Sequence, residues 1–138
     1  MAENAIEESR RYKAAITPKI AAANKNLGKR IRAQGMEIEY LPDQDRLYVT
    51  FGPVRPSEAF PLGDGTHAVI MLDPKNYEIT GVDAPFFMED LAKIEQKKSG
   101  FWQVIADLIG KGGNYVYIPP EADFQRTEKA LLDLLPAS

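Results

Sequence analysis

The spacing of apolar residues changes at Met36, and this change constrains the fold more than any other feature of the sequence. Before Met36, apolar residues recur every three or four positions, as they do on one side of an α-helix. From residue 36 to residue 82 they alternate with polar residues, which is typical of strands that bury one face. From residue 87 the helical spacing returns. The order helix, sheet, helices predicts an α+β fold rather than an alternating α/β fold.

The alternating region predicts an antiparallel β-meander of four to five strands. The strands cover residues 36–40, 47–51, 67–72 and 77–82, with a fifth possible at 58–62. Turn-forming sequences separate them, namely PDQD at 42–45, GDG at 63–65 and DPKN at 73–76. These connections are too short for the crossover that parallel pairing requires, so the strands are expected to pair in antiparallel fashion.

The remainder of the chain predicts a helical cover for one face of this sheet. Helices are expected from residue 87, over FWQVIADLIG and over EADFQRTEKALLDLLP, with one further short strand in NYVYIPP. We therefore divide the chain into a basic helical arm, 1–35, and a single α+β domain, 36–138. Within that domain, 36–90 forms the meander and 91–138 the helical cover.

The arm, residues 1–35, predicts two helical pieces with a break near residue 17. Thr17 can cap a helix that begins at Pro18, where the missing N–H of proline costs nothing. Beyond the break the apolar residues form a narrow stripe that must be covered by the body of the chain, by a second copy or by another partner. The stripe consists of Ile16, Ile20, Ala23, Leu27 and Ile31.

Charge is divided unequally between the two parts of the chain. Residues 1–35 carry eight basic and three acidic residues, a net charge of +5, whereas residues 36–138 carry nine basic and seventeen acidic residues, a net charge of −8. A basic arm beside an acidic body either folds back onto that body or reaches an acidic partner such as nucleic acid. The residues predicted to bind a partner are Lys19, Ile20, Lys25, Leu27, Lys29, Arg30, Ile31 and Arg32.

Composition predicts a cytoplasmic protein that does not enter a membrane. The absence of cysteine removes disulfides and thiolate metal sites and is consistent with a reducing compartment. No apolar run approaches the roughly 18 residues that a membrane-spanning helix requires. The first residues, MAENAIEESRRYK, are too polar and acidic for a signal or transit peptide.

Two stretches, EYLPDQDRLYVTF at 39–51 and VIMLDPKNYEITGVDA at 69–84, resemble the small bacterial family known as domain of unknown function 2283. Its members typically carry a Tyr-Asp-Pro-Glu-x-Asp-x-Leu-Tyr-Ile strand and an Asp-Glu-Asp-Gly hairpin that leads into a Gly-Ile-Glu strand. The resemblance covers about residues 36–90 and implies a small antiparallel sheet followed by a helix, with no established activity. Some members look like partners of small toxins, which suggests an interaction role. The matching residues are Tyr40, Pro42, Asp45, Leu47, Tyr48, Asp73, Ile79 and Gly81, and the departures are Leu41, Asn76 and Asp83.

Five aspartates at or near strand ends, called here the turn aspartates, raise the question of a Ca²⁺ or Mg²⁺ site, since both ions prefer oxygen ligands. The sequence DQDRLYV places apolar residues where an EF-hand loop needs further oxygens, so that motif is absent. Aspartate is also favoured in turns because its side chain hydrogen-bonds to its own backbone, and this is our preferred interpretation. The turn aspartates are Asp43, Asp45, Asp64, Asp73 and Asp83.

Three further features resemble parts of chemical sites. His67 is the single histidine and the one candidate for general-base catalysis, but alternation places it beside Val69 and Met71, which favours a partly buried histidine in the sheet. The GKGG sequence lacks the spacing of a phosphate-binding loop and predicts the end of a helix. Tyr115 and Tyr117 share one face of the last strand, where they could stack on bases, although basic residues are sparse near them.

These observations predict a non-catalytic interaction or assembly module: an acidic α+β body with a basic N-terminal helix that docks on a protein partner or a second copy. No catalytic residue, metal site or cofactor is predicted. One alternative is a nucleic-acid-associated regulator of the antitoxin kind, which rests on the resemblance and the basic arm. A second alternative is a small hydrolase or metal-dependent enzyme that uses His67.

Overall fold

The computed structural model describes residues 15–61, 66–93 and 100–133. Helices precede and follow an antiparallel sheet in this part of the chain, which confirms the predicted α+β class. None of the described helices combines the length and apolar character needed to cross a bilayer. The elements are α1 (15–23), α2 (Leu27–Gln34), β1 (Met36–Leu41), β2 (Arg46–Phe51), β3 (Glu58–Pro61), β4 (Val69–Leu72), β5 (Ile79–Pro85), α3 (Phe87–Lys93), α4 (Gly100–Gly112), β6 (Tyr115–Ile118) and α5 (Gln125–Asp133).

The strands are hydrogen-bonded in the order β3-β4-β5-β2-β1-β6, and every neighbouring pair is antiparallel. The order departs from a simple meander at two steps, because β2 is followed along the chain by β3 but pairs with β5, and β5 is followed by β6, which pairs with β1. Gly81 of β5 permits the pairing of β5 with β2, since a Cβ atom on this residue would lie 2.2 Å from the carbonyl oxygen of Val49 in β2. The chain therefore leaves the middle of the sheet after β2 and re-enters it at the edge as β3.

One face of the sheet packs against the helices and forms the core. Val49 of β2, Val82 of β5 and Ile70 of β4 lie opposite one another across three strands, and each is at most 2% exposed. Burial of such apolar surface is the dominant favourable term in folding. From the helical side, α4 contributes Phe101, Trp102, Val104 and Ile105.

The apolar stripe of the arm lies in this same core. Ile16 and Ile20 of α1, with Leu27 and Ile31 of α2, are between 0% and 6% exposed. Of the three ways in which the stripe could be covered, the structure has the first, docking on the body of the same chain. The division at residue 35 is therefore a change of secondary structure within one shared core.

The break predicted near residue 17 is wrong. α1 is helical throughout 15–23, across Thr17 and Pro18, and the chain turns at 24–26 instead. The position of the turn depends on a contact with distant residues, which the local cues at Thr17 and Pro18 do not contain.

That contact is made by Asn24, which is fully buried and joins α1 to the beginning of β5. Its Nδ2 atom donates to the carbonyl oxygens of Ile20 at 2.8 Å and Tyr77 at 2.9 Å. Its Oδ1 atom accepts from the backbone N–H of Ile79 at 2.8 Å and from Nη2 of Arg30 at 2.7 Å. A side-chain amide has two N–H donors and two acceptor positions, so the amide of Asn24 is fully satisfied inside the core.

We predict that Asn24→Ala lowers the free energy of unfolding by about 1–3 kcal/mol, because the buried N–H of Ile79 loses its acceptor. Urea denaturation measures this change. Asn26→Ala is the matched control, since Asn26 is exposed in the same turn and makes no side-chain capping hydrogen bond. The control should change the free energy of unfolding by less than about 0.5 kcal/mol. Equal effects of the two substitutions would show that the Asn24 amide does not hold the turn.

Candidate functional site

The eight residues predicted to bind a partner do not form one accessible surface. Ile20, Leu27 and Ile31 are no more than 1% exposed, so a partner cannot reach their side chains in this fold. The five basic members lie at the surface of α1, α2 and the turn between them, where they have different surroundings.

Three of these five cations contact other parts of the chain. Nε of Arg30 lies 3.2 Å from a carboxylate oxygen of Glu78, and Nη2 of Arg32 lies 2.7 Å from one of Glu128. Nζ of Lys19 lies 5.6 Å from the centre of the Tyr77 ring, within reach of a cation–π contact. Within the described residues the basic segment thus folds back onto the acidic body. The remaining two cations, Lys25 and Lys29, are exposed and form no ion pair with another described residue.

The turn aspartates have separate structural partners. Asp73 accepts the backbone N–H of Lys75 at 2.9 Å, and Asp83 pairs with Arg46 at 2.9 Å. Asp43 is exposed, and Asp64 lies outside the described residues. In the described ranges, no three His, Asp or Glu side chains are grouped so that they could hold a metal ion.

Asp45 is the turn aspartate with the most contacts, because it caps α3 from the β1–β2 turn. Its carboxylate accepts hydrogen bonds from the backbone N–H groups of Met88 at 2.8 Å and Glu89 at 3.2 Å. Its backbone carbonyl oxygen accepts a hydrogen bond from the backbone N–H of Phe87 at 3.0 Å. These are N–H groups of the first helical turn, which have no partner inside the helix. The residue before α3, Phe86, has no side-chain acceptor to offer them, so a distant aspartate supplies one.

Tyr40 completes this arrangement by donating its hydroxyl to Oδ1 of Asp45 at 2.7 Å. Burial would raise the pKa of Asp45, but the hydrogen bonds from Tyr40, Met88 and Glu89 outweigh it and hold that pKa below its usual value. For Tyr40, burial and the Asp45 carboxylate raise the pKa to about 12. The Tyr40–Asp45 pair is thus a structural pair at neutral pH, with Asp45 ionised and Tyr40 protonated.

His67 is placed differently from the prediction. It precedes β4 instead of lying within it, and its side chain is 62% exposed, so the expectation of a partly buried sheet histidine is wrong. The buried carboxylate of Asp90 accepts the backbone N–H of His67 at 2.8 Å and lies 3.0 Å from Nδ1 of the ring. This contact holds the ring at the surface of the domain beside Phe86, with ring centres 5.0 Å apart. Among the described residues, Asp90 is the one hydrogen-bonding partner of the His67 ring.

The GKGG sequence ends α4, as its composition predicts. Gly112 is the last helical residue, and Gly113 has φ +85°, in the left-handed region that favours glycine. The backbone N–H of Gly113 donates to the carbonyl oxygen of Ile109 at 2.8 Å, so it is used in closing the helix.

The largest accessible feature is the face of the sheet opposite the helices, which we call the open face. No described helix or strand lies over it. Its side chains form two rows that cross all six strands, and they are exposed or partly buried, apart from Gly81, which has no side chain. The first row is Tyr117, Glu37, Thr50, Gly81, Met71 and Ala59, and the second is Tyr115, Glu39, Tyr48, Asp83, Val69 and Pro61.

A groove opens in this face where Gly81 lacks a side chain. The connection between β2 and β3 borders it with Pro53 and Val54, and Thr50 and Met71 lie on either side of Gly81. Its volume is about 200 Å³. Small-molecule sites usually enclose about 300–1,000 Å³, so this groove suits one or two side chains of another protein better than a metabolite.

Among the strand residues of the open face, Tyr115 and Tyr117 are the most exposed large apolar residues, at 55% and 51%. Glu37 and Glu39 lie beside them on β1. Partial burial, together with the charge of Glu37 and a hydrogen bond to it, raises the pKa of Tyr115. The two rings therefore lie next to negative charges, which is unfavourable for stacking on the bases of a phosphate-bearing strand.

Sequence reasoning identified the two tyrosines but missed Asn24 and Asp90. A lone asparagine or aspartate in a helical stretch gives no signal of burial. The signal for Glu37 and Glu39 was present in the alternation of β1, but their position beside the tyrosines depends on the pairing of β1 with β6.

We predict that Asp45→Ala lowers the free energy of unfolding by about 1–2 kcal/mol at pH 7, because the N–H groups of Met88 and Glu89 lose their charged acceptor. Since the folded-state pKa of Asp45 is below the ordinary value of 3.8, this contribution is complete near neutral pH and is lost as pH falls through the folded-state pKa. Urea denaturation of both proteins at pH 7 and at acidic pH measures it. Asp43→Ala, in the same turn but exposed, is the control and should have little effect. A pH-independent difference between wild type and Asp45→Ala would contradict the role of the charge.

Comparisons with family models, with curated proteins and with solved structures found no match to this chain. The resemblance to domain of unknown function 2283 stays a prediction that rests on the two motifs.

Proposed function

We propose that this chain is a non-catalytic interaction module that associates with a second copy of itself through the sheet side of the domain. By sheet side we mean the open face together with the two edges of the sheet, at β3 and β6, beyond which no described strand pairs. The helical side, formed by α1 to α5, covers the core.

The observation that carries the proposal is the open face itself. A six-stranded sheet presents two rows of side chains there, including two half-exposed tyrosines at one edge. Exposed tyrosine side chains are enriched at sites that contact other proteins. A second copy is the preferred partner because free sheet edges are templates for strand pairing and every copy carries the same edges.

The segment predicted to bind a partner offers little for such a contact. The apolar residues of α1 and α2 are used in the core, and Arg30 and Arg32 are paired with carboxylates of the same chain. Of the residues predicted to bind a partner, Lys25 and Lys29 are exposed and form no ion pair with another described residue, so they are the ones available for a contact through the basic helix.

The two alternatives have weaker support. Nucleic-acid binding would use a surface on which Arg30 and Arg32 are already neutralised, while the open face carries Glu37 and Glu39. Catalysis by His67 would need further reactive groups beside its ring. Among the described residues, the hydrogen-bonding partner of that ring is Asp90. The absence of cysteine favours a reducing compartment, and we propose the cytoplasm as the location.

The test is the mass of the full chain in solution, measured by sedimentation velocity from micromolar to submillimolar concentration. We predict a species of twice the 15.4 kDa monomer mass that becomes more populated as concentration rises. The double variant Lys25→Glu, Lys29→Glu should associate as the wild type does, because it changes only the helical side. A chain that stays monomeric throughout would refute self-association, and loss of the dimer in the double variant would place the contact on the basic helix.

A further inference from the structure

The two free edges of the sheet differ in chemistry although both are four residues long. β3 has the sequence EAFP, so its edge carries a charged residue and a proline that lacks a backbone donor. Natural sheets use these features to prevent pairing with other chains. β6 has the sequence YVYI, with no charge and no proline between its first and last residue. Pro119 and Pro120 follow β6 directly, but of the two edge strands β6 is the one with no charge or proline within it.

The backbone of β6 presents its free hydrogen-bonding groups at two residues. In an antiparallel pair, residues that exchange hydrogen bonds alternate with residues that do not. The N–H of Tyr40 in β1 donates to the carbonyl oxygen of Asn114 at 2.8 Å, so these two residues form a hydrogen-bonded pair. Two positions further along each strand, Ile38 lies opposite Val116, and these two residues form the next hydrogen-bonded pair. Val116 thus directs its N–H and C=O toward β1, whereas Tyr115 and Tyr117 direct theirs away from the sheet.

We propose that β6 pairs in antiparallel fashion with β6 of a second copy, so that the two six-stranded sheets join into one continuous sheet. This inference rests on the proposed function and names the partner and the mode of contact. The two-fold axis is perpendicular to the sheet and passes between the two Val116 residues, which keeps the open faces of both copies on the same side.

This register uses every free backbone group of the strand. Tyr115 lies opposite Tyr117 of the second copy, and each such pair exchanges two backbone hydrogen bonds, so the two pairs make four. A shift that centres the axis on Tyr117 would place Tyr115 opposite Pro119, which has no N–H to donate. The register centred on Val116 avoids that loss.

The side chains of β6 are compatible with the same arrangement. In this register Tyr115 and Tyr117 of one copy lie opposite Tyr117 and Tyr115 of the other on the open face, and aromatic cross-strand pairs stabilise sheets. The carboxylates of Glu37 and Glu39 lie on β1, three strand spacings from β1 of the second copy, which is about 14 Å. That separation exceeds the Debye length of about 8 Å at physiological ionic strength, so repulsion between them is largely screened.

The first experiment is sedimentation velocity on Tyr117→Pro, which removes an outward N–H that makes no bond to β1. Proline is tolerated in an edge strand where its nitrogen faces solvent, so the monomer should keep its far-ultraviolet circular dichroism spectrum. We expect the dissociation constant of the dimer to rise at least tenfold. Tyr117→Val is the matched control, because it removes the ring but keeps the backbone N–H, and its dissociation constant should rise less than that of the proline variant.

A second experiment does not depend on the proline variant folding. The chain has no cysteine, so Val116→Cys introduces a single thiol at the proposed axis. Facing residues of a non-hydrogen-bonded pair have Cα atoms about 4.5 Å apart, within the range of about 4.4–6.8 Å that a disulfide spans. Mild oxidation should therefore link two copies of Val116→Cys rapidly. Ala59→Cys, on the β3 edge, is the control and should not cross-link at that rate.

The outcomes separate this inference from the proposed function. A dimer that is weakened by Tyr117→Pro and cross-linked through Val116→Cys supports both. If the wild type dimerises, two results overturn pairing through β6 and leave self-association standing. One is a folded Tyr117→Pro variant that dimerises as the wild type does, and the other is a Val116→Cys variant that does not cross-link. A wild type that is monomeric at every concentration overturns both.

Discussion

The buried amide of Asn24 is the interaction on which the arrangement of helices and sheet depends. It satisfies backbone groups on α1 and at the entry to β5, and it also holds Arg30 of α2. A buried polar group costs free energy unless all its hydrogen bonds are made, and this one has four partners that only the native arrangement brings together. The contact therefore specifies one position for α1 and α2 over the sheet. The apolar stripe of α1 and α2 is buried in the core by this arrangement, so it is not available to a partner.

The charged residues that first suggested chemistry contribute to the architecture. Asp45 links the β1–β2 turn to the N-terminus of α3, and Asp90 links α3 to the segment before β4 through His67. Both carboxylates accept backbone N–H groups that would otherwise lack partners. Together they attach α3, which is described over seven residues, to two separate parts of the sheet. Neither carboxylate is grouped with further ligands that would hold a metal ion in the described part of the chain.

The contrast between the two sides of the sheet underlies the proposed function. On the helical side the apolar residues lie in the core and three of the five described cations of the arm contact the body. The open face carries tyrosines, carboxylates and a small groove. The edges differ in the same sense, since β3 carries charge and proline and β6 carries neither. An unprotected edge beside exposed aromatic residues is a recurrent way for a sheet to recruit another strand.

The sequence by itself determined which elements form. The change of apolar spacing at Met36 and again near residue 87 predicted the helices, the strands and the α+β class, because periods of 3.6 and 2 follow from local backbone geometry. It also predicted the end of α4 at its glycines, where the cause is the backbone freedom of Gly113. Tertiary structure decided what no local pattern contains: the insertion of β5 beside β2, the turn at 24–26, the capping of α3 by Asp45 and the exposure of His67. Each of these features depends on a contact between residues far apart in the chain. The free energy of burying a polar group depends on whether a hydrogen-bonding partner is present, and only the folded chain supplies that partner.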